Sequence, residues 1–227
     1  MPTALITGAN RGIGLELARQ YAADGYTVHA CCRNPDDAKE LNALSGDVHV
    51  HALDVTDHEA MDRLASEVAA PLDVVIANAG IYGPKSEAQT FGSLDYAALR
   101  DTLEVNTIGA VKTIEAFAPH AARSDQKKMA AITSEMGSIA DASGGATAYR
   151  ASKAALNMAL AVAAPELKRD GVAVGLLHPG WVQTDMGGPN ARITPEQSAR
   201  GLKARVAELK PSDKAPFLAH DGREIPW

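Results

Sequence analysis

The sequence has little with which to staple itself: two cysteines in 227 residues, Cys31 and Cys32, side by side. On a strand, neighbours point to opposite faces, which argues against a bridge between them and against a disulfide scaffold. A reducing compartment is therefore expected, with the cytoplasm as the default. Excess positive charge is also missing. Lys and Arg number 22 against 28 Asp and Glu, a formal net charge of −6, which counts against nucleic acid or an anionic membrane as partner. The longest apolar run, around 154–165, is broken by Asn157 and falls short of the ~20 residues that cross a bilayer. The first residues enter a strand pattern with no charged n-region or apolar h-region, so no signal peptide is expected. No linker, low-complexity segment or short repeat interrupts residues 1–227, and their number suits one α/β domain with a substantial core.

What is present alternates. Strand-like apolar runs at 3–6, 26–32, 47–53, 72–77, 127–133 and 172–177, with a short one at 217–219, are separated by helical patterns. The helices are expected over 15–23, 36–44, 57–69, 95–122, 149–169 and 195–209. Asp57 is a candidate cap for the third, and Thr194 with Pro195 opens the last. This rhythm predicts an α/β fold: a single-domain, Rossmann-type doubly wound parallel sheet of six to seven strands, helices on both faces. In such sheets ligands bind outside the carboxyl ends of the strands. The segments expected there are 8–14, Arg33-Asn34, Asp54-Val55, 78–80, 134–137 and 179–185.

The first of these is Thr7-Gly8-Ala9-Asn10-Arg11-Gly12-Ile13-Gly14, between a strand and a helix. Glycines there let an anion approach a helix N-terminus, where unpaired N–H groups and the dipole favour it. The spacing is G-x-x-x-G-x-G rather than the G-x-G-x-x-G dinucleotide fingerprint. A tight strand-to-helix turn with no ligand is the lesser alternative at this point.

Tyr149 and Lys153 are four apart on a predicted helix and so share a face. An ordinary tyrosine, with a pKa near 10, is a poor acid–base group at neutral pH. One ammonium about 5 Å away at an effective dielectric of about 20 would favour the phenolate by roughly 3 kcal/mol, around two pKa units. The pair could make Tyr149 a proton donor to a carbonyl; it could also be an exposed pair on a helix surface.

Thr7 to Gly14, Asn78-Ala79-Gly80, Asn106, Ser134, Tyr149-Arg150-Ala151-Ser152-Lys153 and Pro179-Gly180 together resemble the short-chain dehydrogenase/reductase family, in the family's order. Each motif is weak singly, and the ordered set is specific. The stretches Thr133 to Ser138 and His178 to Pro189 are similar to carbonyl reductases related to sniffer and to the C-factor signalling protein. The resemblance implies a catalytic set of Asn106, Ser134, Tyr149 and Lys153. Tyr149 would exchange a proton with the substrate oxygen and Ser134 would hydrogen-bond it. Lys153 would bind the nicotinamide ribose, and Asn106 would hold a water that relays protons to Lys153. Ser138 lies past Gly137, where the family does not place its serine. Gly8, Asn10, Arg11, Gly12, Ile13, Gly14, Arg33, Asp54, Val55, Asn78, Ala79, Gly80, Tyr149, Lys153, Pro179, Gly180, Val182 and Thr184 would contact the cofactor. Asp54 could otherwise cap the following turn.

NAD sites usually carry an acidic residue after the second strand. Here that place reads Cys31-Cys32-Arg33, so Arg33, with Arg11 as a second cation, points to NADP(H) rather than NAD(H), through charge-assisted bonds worth about 1.5–3 kcal/mol. The expected function is NADPH-dependent reduction of a ketone or aldehyde. An NAD-linked alcohol dehydrogenase and a dinucleotide-binding signalling protein with little turnover are the alternatives. The expected partner is a small carbonyl or alcohol, in a pocket bordered by Tyr82, Met136, Trp181 and Met186. The short stretch 187–194 suggests that this pocket is open. The resemblance also allows a homodimer or homotetramer through the helices 95–122 and 149–169. His49 and His51 alternate on one strand face with no third ligand at metal spacing, and read as structural; no metal is expected.

Overall fold

The computed structural model describes residues 1–84 and 86–227. Seven strands, β1 (Thr3–Thr7), β2 (Thr27–Cys32), β3 (Val48–Ala52), β4 (Val74–Ala77), β5 (Lys128–Ile132), β6 (Ala173–His178) and β7 (Phe217–Ala219), form one parallel sheet. Their order is β3-β2-β1-β4-β5-β6-β7, so the winding reverses between β1 and β4. That reversal opens a crevice at the carboxyl ends of these two strands.

Seven α-helices cover the sheet among the described residues: α1 (Gly12–Ala23), α2 (Lys39–Asn42), α3 (His58–Glu67), α4 (Tyr96–Leu103), α5 (Ala110–Ala122), α6 (Thr147–Arg169) and α7 (Pro195–Glu208). Strand side chains alternate between two cores, as a period of two requires. Leu5, Cys31, Val75 and Ala77 pack with Met61 and Leu64 of α3, Phe117 of α5 and Leu156 of α6. Ile6, Cys32, Val74 and Ile76 pack with Leu17 of α1, Leu41 of α2 and Leu202 of α7. The two cysteines are free and buried in opposite cores.

The expected caps are present. Asp57 accepts from Ala60 N at 2.9 Å, and Thr194 and Gln197 form a reciprocal capping box with Pro195 in the first turn. The expected helix 36–44 is instead a 3₁₀ turn, Pro35–Asp37, followed by the single turn of α2. Leu41 is the one buried residue of α2, too small an apolar face to sustain a longer helix. The expected helix 95–122 is present as one unbroken helical run capped by Asp95, with a π-helical stretch, Glu104–Gly109, set between α4 and α5. Asn106, whose partners lie off the helix, sits inside that stretch. The helix expected from Tyr149 begins earlier, at Thr147, after Ala146 in the left-handed region at φ 50°.

Candidate active site and cofactor cleft

The turn after β1 leads into α1 through three glycines whose reasons differ. Gly8 has φ +67°, and a Cβ there would lie 2.9 Å from Ala79 Cα, just beyond β4. A Cβ on Gly14 would collide with the Gly8 carbonyl oxygen and the Asn78 side chain. Gly12 has φ +56° and lies under Thr184, whose Cγ2 would be 3.1 Å from a Cβ. Much of the glycine pattern therefore serves the chain's own close packing. Asn78 completes that packing, its Nδ2 donating to the carbonyls of Thr7 at 2.9 Å and Gly8 at 3.1 Å. The first turn of α1 has no side-chain cap, and Arg11, ahead of it, is extended at φ −159°. Its leading N–H groups are thus open to an anion, with exposed Asn10 and half-buried Ile13 alongside.

Arg33 follows β2, is exposed, and makes no side-chain hydrogen bond or ion pair among the described residues. Arg11 is engaged: it pairs with Asp185, beyond β6. Both side chains are exposed, so water screens the pair. Asp54 accepts from Thr56 N at 3.0 Å and from Thr56 Oγ1 at 2.8 Å, closing its own turn. Val55 packs on Gly109, where a Cβ would come within 2.8 Å of the Val55 carbonyl oxygen. Pro179 accepts from Ser198 Oγ at 2.7 Å, Gly180 has φ +86°, and buried Val182 bridges Ile193. The segment containing Thr184 and Asp185 so lies across the glycine turn.

Ser134, Tyr149 and Lys153 come together beside this cleft. Ser134 lies just past the end of β5, is buried, and its Oγ accepts from Met136 N at 3.1 Å. Tyr149 is in the first turns of α6, its N–H held by Gln89 Oε1 at 3.1 Å and its ring 5.0 Å from that of Tyr82. Lys153 Nζ is 5.9 Å from the Tyr149 ring centre and donates to the Ile132 carbonyl at 2.8 Å. Asn106 grips the loop after β4: Oδ1 accepts from Ile81 N and Nδ2 donates to Ile81 O, both at 2.8 Å. Asn106 Nδ2 also donates to Ser152 Oγ at 3.0 Å. The buried amide is thereby satisfied by protein partners, and it borders Gly80 together with Lys153 Nζ. Gln89 carries no motif of its own, and Ser152, quoted within the motif from Tyr149 to Lys153, had no role assigned from sequence.

The electrostatics differ from the simple pair expected. Burial raises the Tyr149 phenol above its ordinary value, opposed by the Ser134 hydroxyl beside it, with Tyr82 adding to the rise. Burial pushes Lys153 down to about 8. The expected lowering of Tyr149 by a nearby ammonium is corrected: burial raises the phenol, and burial likewise disfavours the charged form of Lys153.

Ser138 lies past the site and its hydroxyl contacts the main-chain oxygen of Trp227 at 3.4 Å. Trp181 Nε1 donates to Gly187 O at 2.8 Å; Trp181 and Met186 are about half exposed at the rim. His49 and His51 gain a neighbour from β2, His29, whose Nδ1 is 3.0 Å from His51 Nε2. Among the described residues no group of three or more His, Cys, Asp or Glu is placed to hold a metal ion. No helix among them is long and apolar enough to cross a membrane.

A family model described as short chain dehydrogenase matches residues 2–193. The chain belongs to the short-chain dehydrogenase family of oxidoreductases. A 1-hydroxy-2-glutathionyl-2-methyl-3-butene dehydrogenase of Rhodococcus sp. (strain AD45) is 38% identical over all of both chains. The C-signal protein of Myxococcus xanthus is 41% identical over 69% of this chain and 93% of its own. Among solved structures, the carbonyl reductase Sniffer of D. melanogaster superposes with a TM-score of 0.91 at 31% identity, covering all of both chains. An NADPH-bound carbonyl reductase from chicken fatty liver superposes with a TM-score of 0.89 at 32% identity, over 100% of this chain and 99% of its own.

Proposed function

We propose that the protein reduces a ketone or aldehyde to an alcohol with NADPH, Tyr149 giving the proton. The observation that carries this reading is the meeting of Ser134, Tyr149 and Lys153 at the carboxyl end of β5 and the start of α6. The phenol carries its proton across the neutral range, the form a donor to a carbonyl oxygen needs, while burial makes it a weaker acid and the Ser134 hydroxyl beside it works the other way. Ser134 Oγ–H hydrogen-bonds the same oxygen and fixes its direction. Lys153, tied to Ile132, and Asn106, tied to Ile81, keep the floor of the site rigid beneath them. The nicotinamide, when bound, supplies the hydride.

The residues present fit such a cofactor. The uncapped start of α1 suits a pyrophosphate. Gly8, Gly12 and Gly14 keep that turn bare, Asn78, Ala79 and Gly80 form the wall after β4, and Val182 and Thr184 lie opposite. Asp54 and Val55 border the adenine end. Free Arg33 after β2, with no carboxylate at that position, supports NADPH over NADH, and the NADPH-bound chicken reductase supports the same choice. The same groups serve alcohol oxidation in reverse, and the dehydrogenase name of the Rhodococcus relative supports measuring both directions.

The test is NADPH consumption with ketones, aldehydes, quinones and keto-sugars by the native chain and by Tyr149→Phe. The variant is expected to bind NADPH as the native chain does and to turn over at least ~100-fold more slowly. Native rates in the variant would overturn the proton-donor role.

A further inference from the structure

The chain after β7 turns back on itself. Ala219 N donates to the Arg223 carbonyl at 2.8 Å and Ile225 N to the Phe217 carbonyl at 2.9 Å, bringing the last residues alongside the strand. The returning segment reaches the turn that presents Ser134 and joins it at two points. Arg223 Nη2 donates to Glu135 Oε2 at 3.2 Å, and Glu135 is the residue next to Ser134. On the far side of the turn, the main-chain oxygen of Trp227 accepts from Ala140 N at 2.9 Å and from Ser138 Oγ at 3.4 Å. The second Glu135 oxygen faces buried His178, Nε2 to Oε1 3.5 Å.

From the opposite side the same turn rests on α6. A Cβ on Gly137 would sit 2.9 Å from the Lys153 backbone. Asn157 Nδ2 donates to Gly137 O at 3.4 Å and Arg150 Nη1 to Met136 O at 3.3 Å. The turn is thus gripped between α6 and the returning segment, with Ser134 at its start.

We propose that residues 221–227 form a strap that holds the Ser134 hydroxyl on the substrate oxygen, with Glu135 and Arg223 as positioning residues acting through the turn. The proposal rests on the role given to Ser134 above. The side chains of Glu135 and Arg223 are 47% and 55% exposed, so water screens their attraction and the pair adds little to global stability. Its effect falls on geometry, where a shift of about 1 Å in a reacting group can cost ~100-fold in rate. A tie of this kind acts on turnover and leaves folding and cofactor affinity alone.

Steady-state kinetics, NADPH titration and thermal unfolding of Arg223→Ala, Arg223→Lys, Glu135→Gln and the Glu135→Gln/Arg223→Ala double variant test this. Arg223→Ala is expected to lose about tenfold in kcat with unchanged NADPH affinity and midpoint of unfolding. Arg223→Lys should recover part of that loss, and the double variant should lose no more than the worse single one. Native kcat in Arg223→Ala, losses that multiply in the double variant, or an equal loss of cofactor affinity would overturn the strap. Tyr149→Phe is measured alongside: if it is inactive while Arg223→Ala is native, the strap alone falls. If Tyr149→Phe is fully active, the strap and the reading beneath it fall together.

Discussion

Lys153 takes an ammonium into the interior, where the Ile132 carbonyl accepts from it at 2.8 Å and burial brings it from 10.5 down to about 8. Below about pH 8 the group is protonated in both folded and unfolded chains, and the folded state bears the full desolvation cost. Between about 8 and 10.5 the unfolded chain binds more protons, so this group makes stability rise with pH. Lys153→Met is therefore expected to be inactive yet more stable than the native chain at pH 7. That advantage should shrink as the pH passes 8 toward 10. Denaturant titrations at several pH values check this, and an advantage independent of pH would contradict it. Tyr149 illustrates the same physics with the opposite sign of charge. Its neighbour in the sequence pattern promised a lowered pKa, but burial acts first on the group that must lose its proton.

At the scale of elements, the edge pair β2 and β3 carries a feature that one strand cannot reveal. In the parallel register His29 is opposite His49, and Cys31 opposite His51. The three imidazoles gather on one face, the His29 ring stacked 5.4 Å from that of His49 and 5.2 Å from that of His51. Asp47 faces His49 at 3.0 Å, and Glu67 of α3 favours the charged form of His51. Burial, then the two neighbouring rings, push His29 down to about 4. Between 6.5 and 4 the unfolded chain holds more protons at this site, so its contribution to stability is present above pH 6.5 and is lost as pH falls. His29→Gln is expected to flatten the decline in stability over that window. Urea midpoints measured from pH 7 to pH 4 would show it; parallel curves for both proteins would refute it. The π-helical stretch between α4 and α5 belongs to this scale as well. Apolar spacing described the helix but not its widened turn, which depends on the partners of Asn106, Ile81 and Ser152, outside the helix.

At the scale of the molecule, the switch between β1 and β4 makes one cleft in which folding and cofactor binding are linked. NADPH at 100 times its Kd should stabilise the fold by about 2.7 kcal/mol. If Arg33 holds the 2′-phosphate, its loss costs about 1.5–3 kcal/mol of affinity, roughly a 10- to 150-fold weaker Kd. NADPH should thus raise the midpoint of thermal unfolding more than NADH at equal concentration, and Arg33→Ala should erase the difference. Equal shifts from both dinucleotides in the native chain would remove the cofactor preference assigned here.

The alternation of strands and helices, the caps at Asp57 and Thr194 and the two-faced Cys31-Cys32 pair were determined by the sequence alone. So was the ordered motif set from Thr7 to Gly180 that marks the family. These features are local, set by side-chain period, capping chemistry and backbone freedom within a few residues. Only the tertiary structure decided that Gly8 and Gly14 pack against Ala79 and Asn78, that Arg11 pairs with Asp185, and that His29 joins His49 and His51. The direction of the Tyr149 shift and the hold of Arg223 on Glu135 were settled there too. Each of these depends on a partner many residues away, or on how much water the fold removes from a charge. Neither quantity is carried by the spacing of residues along the chain.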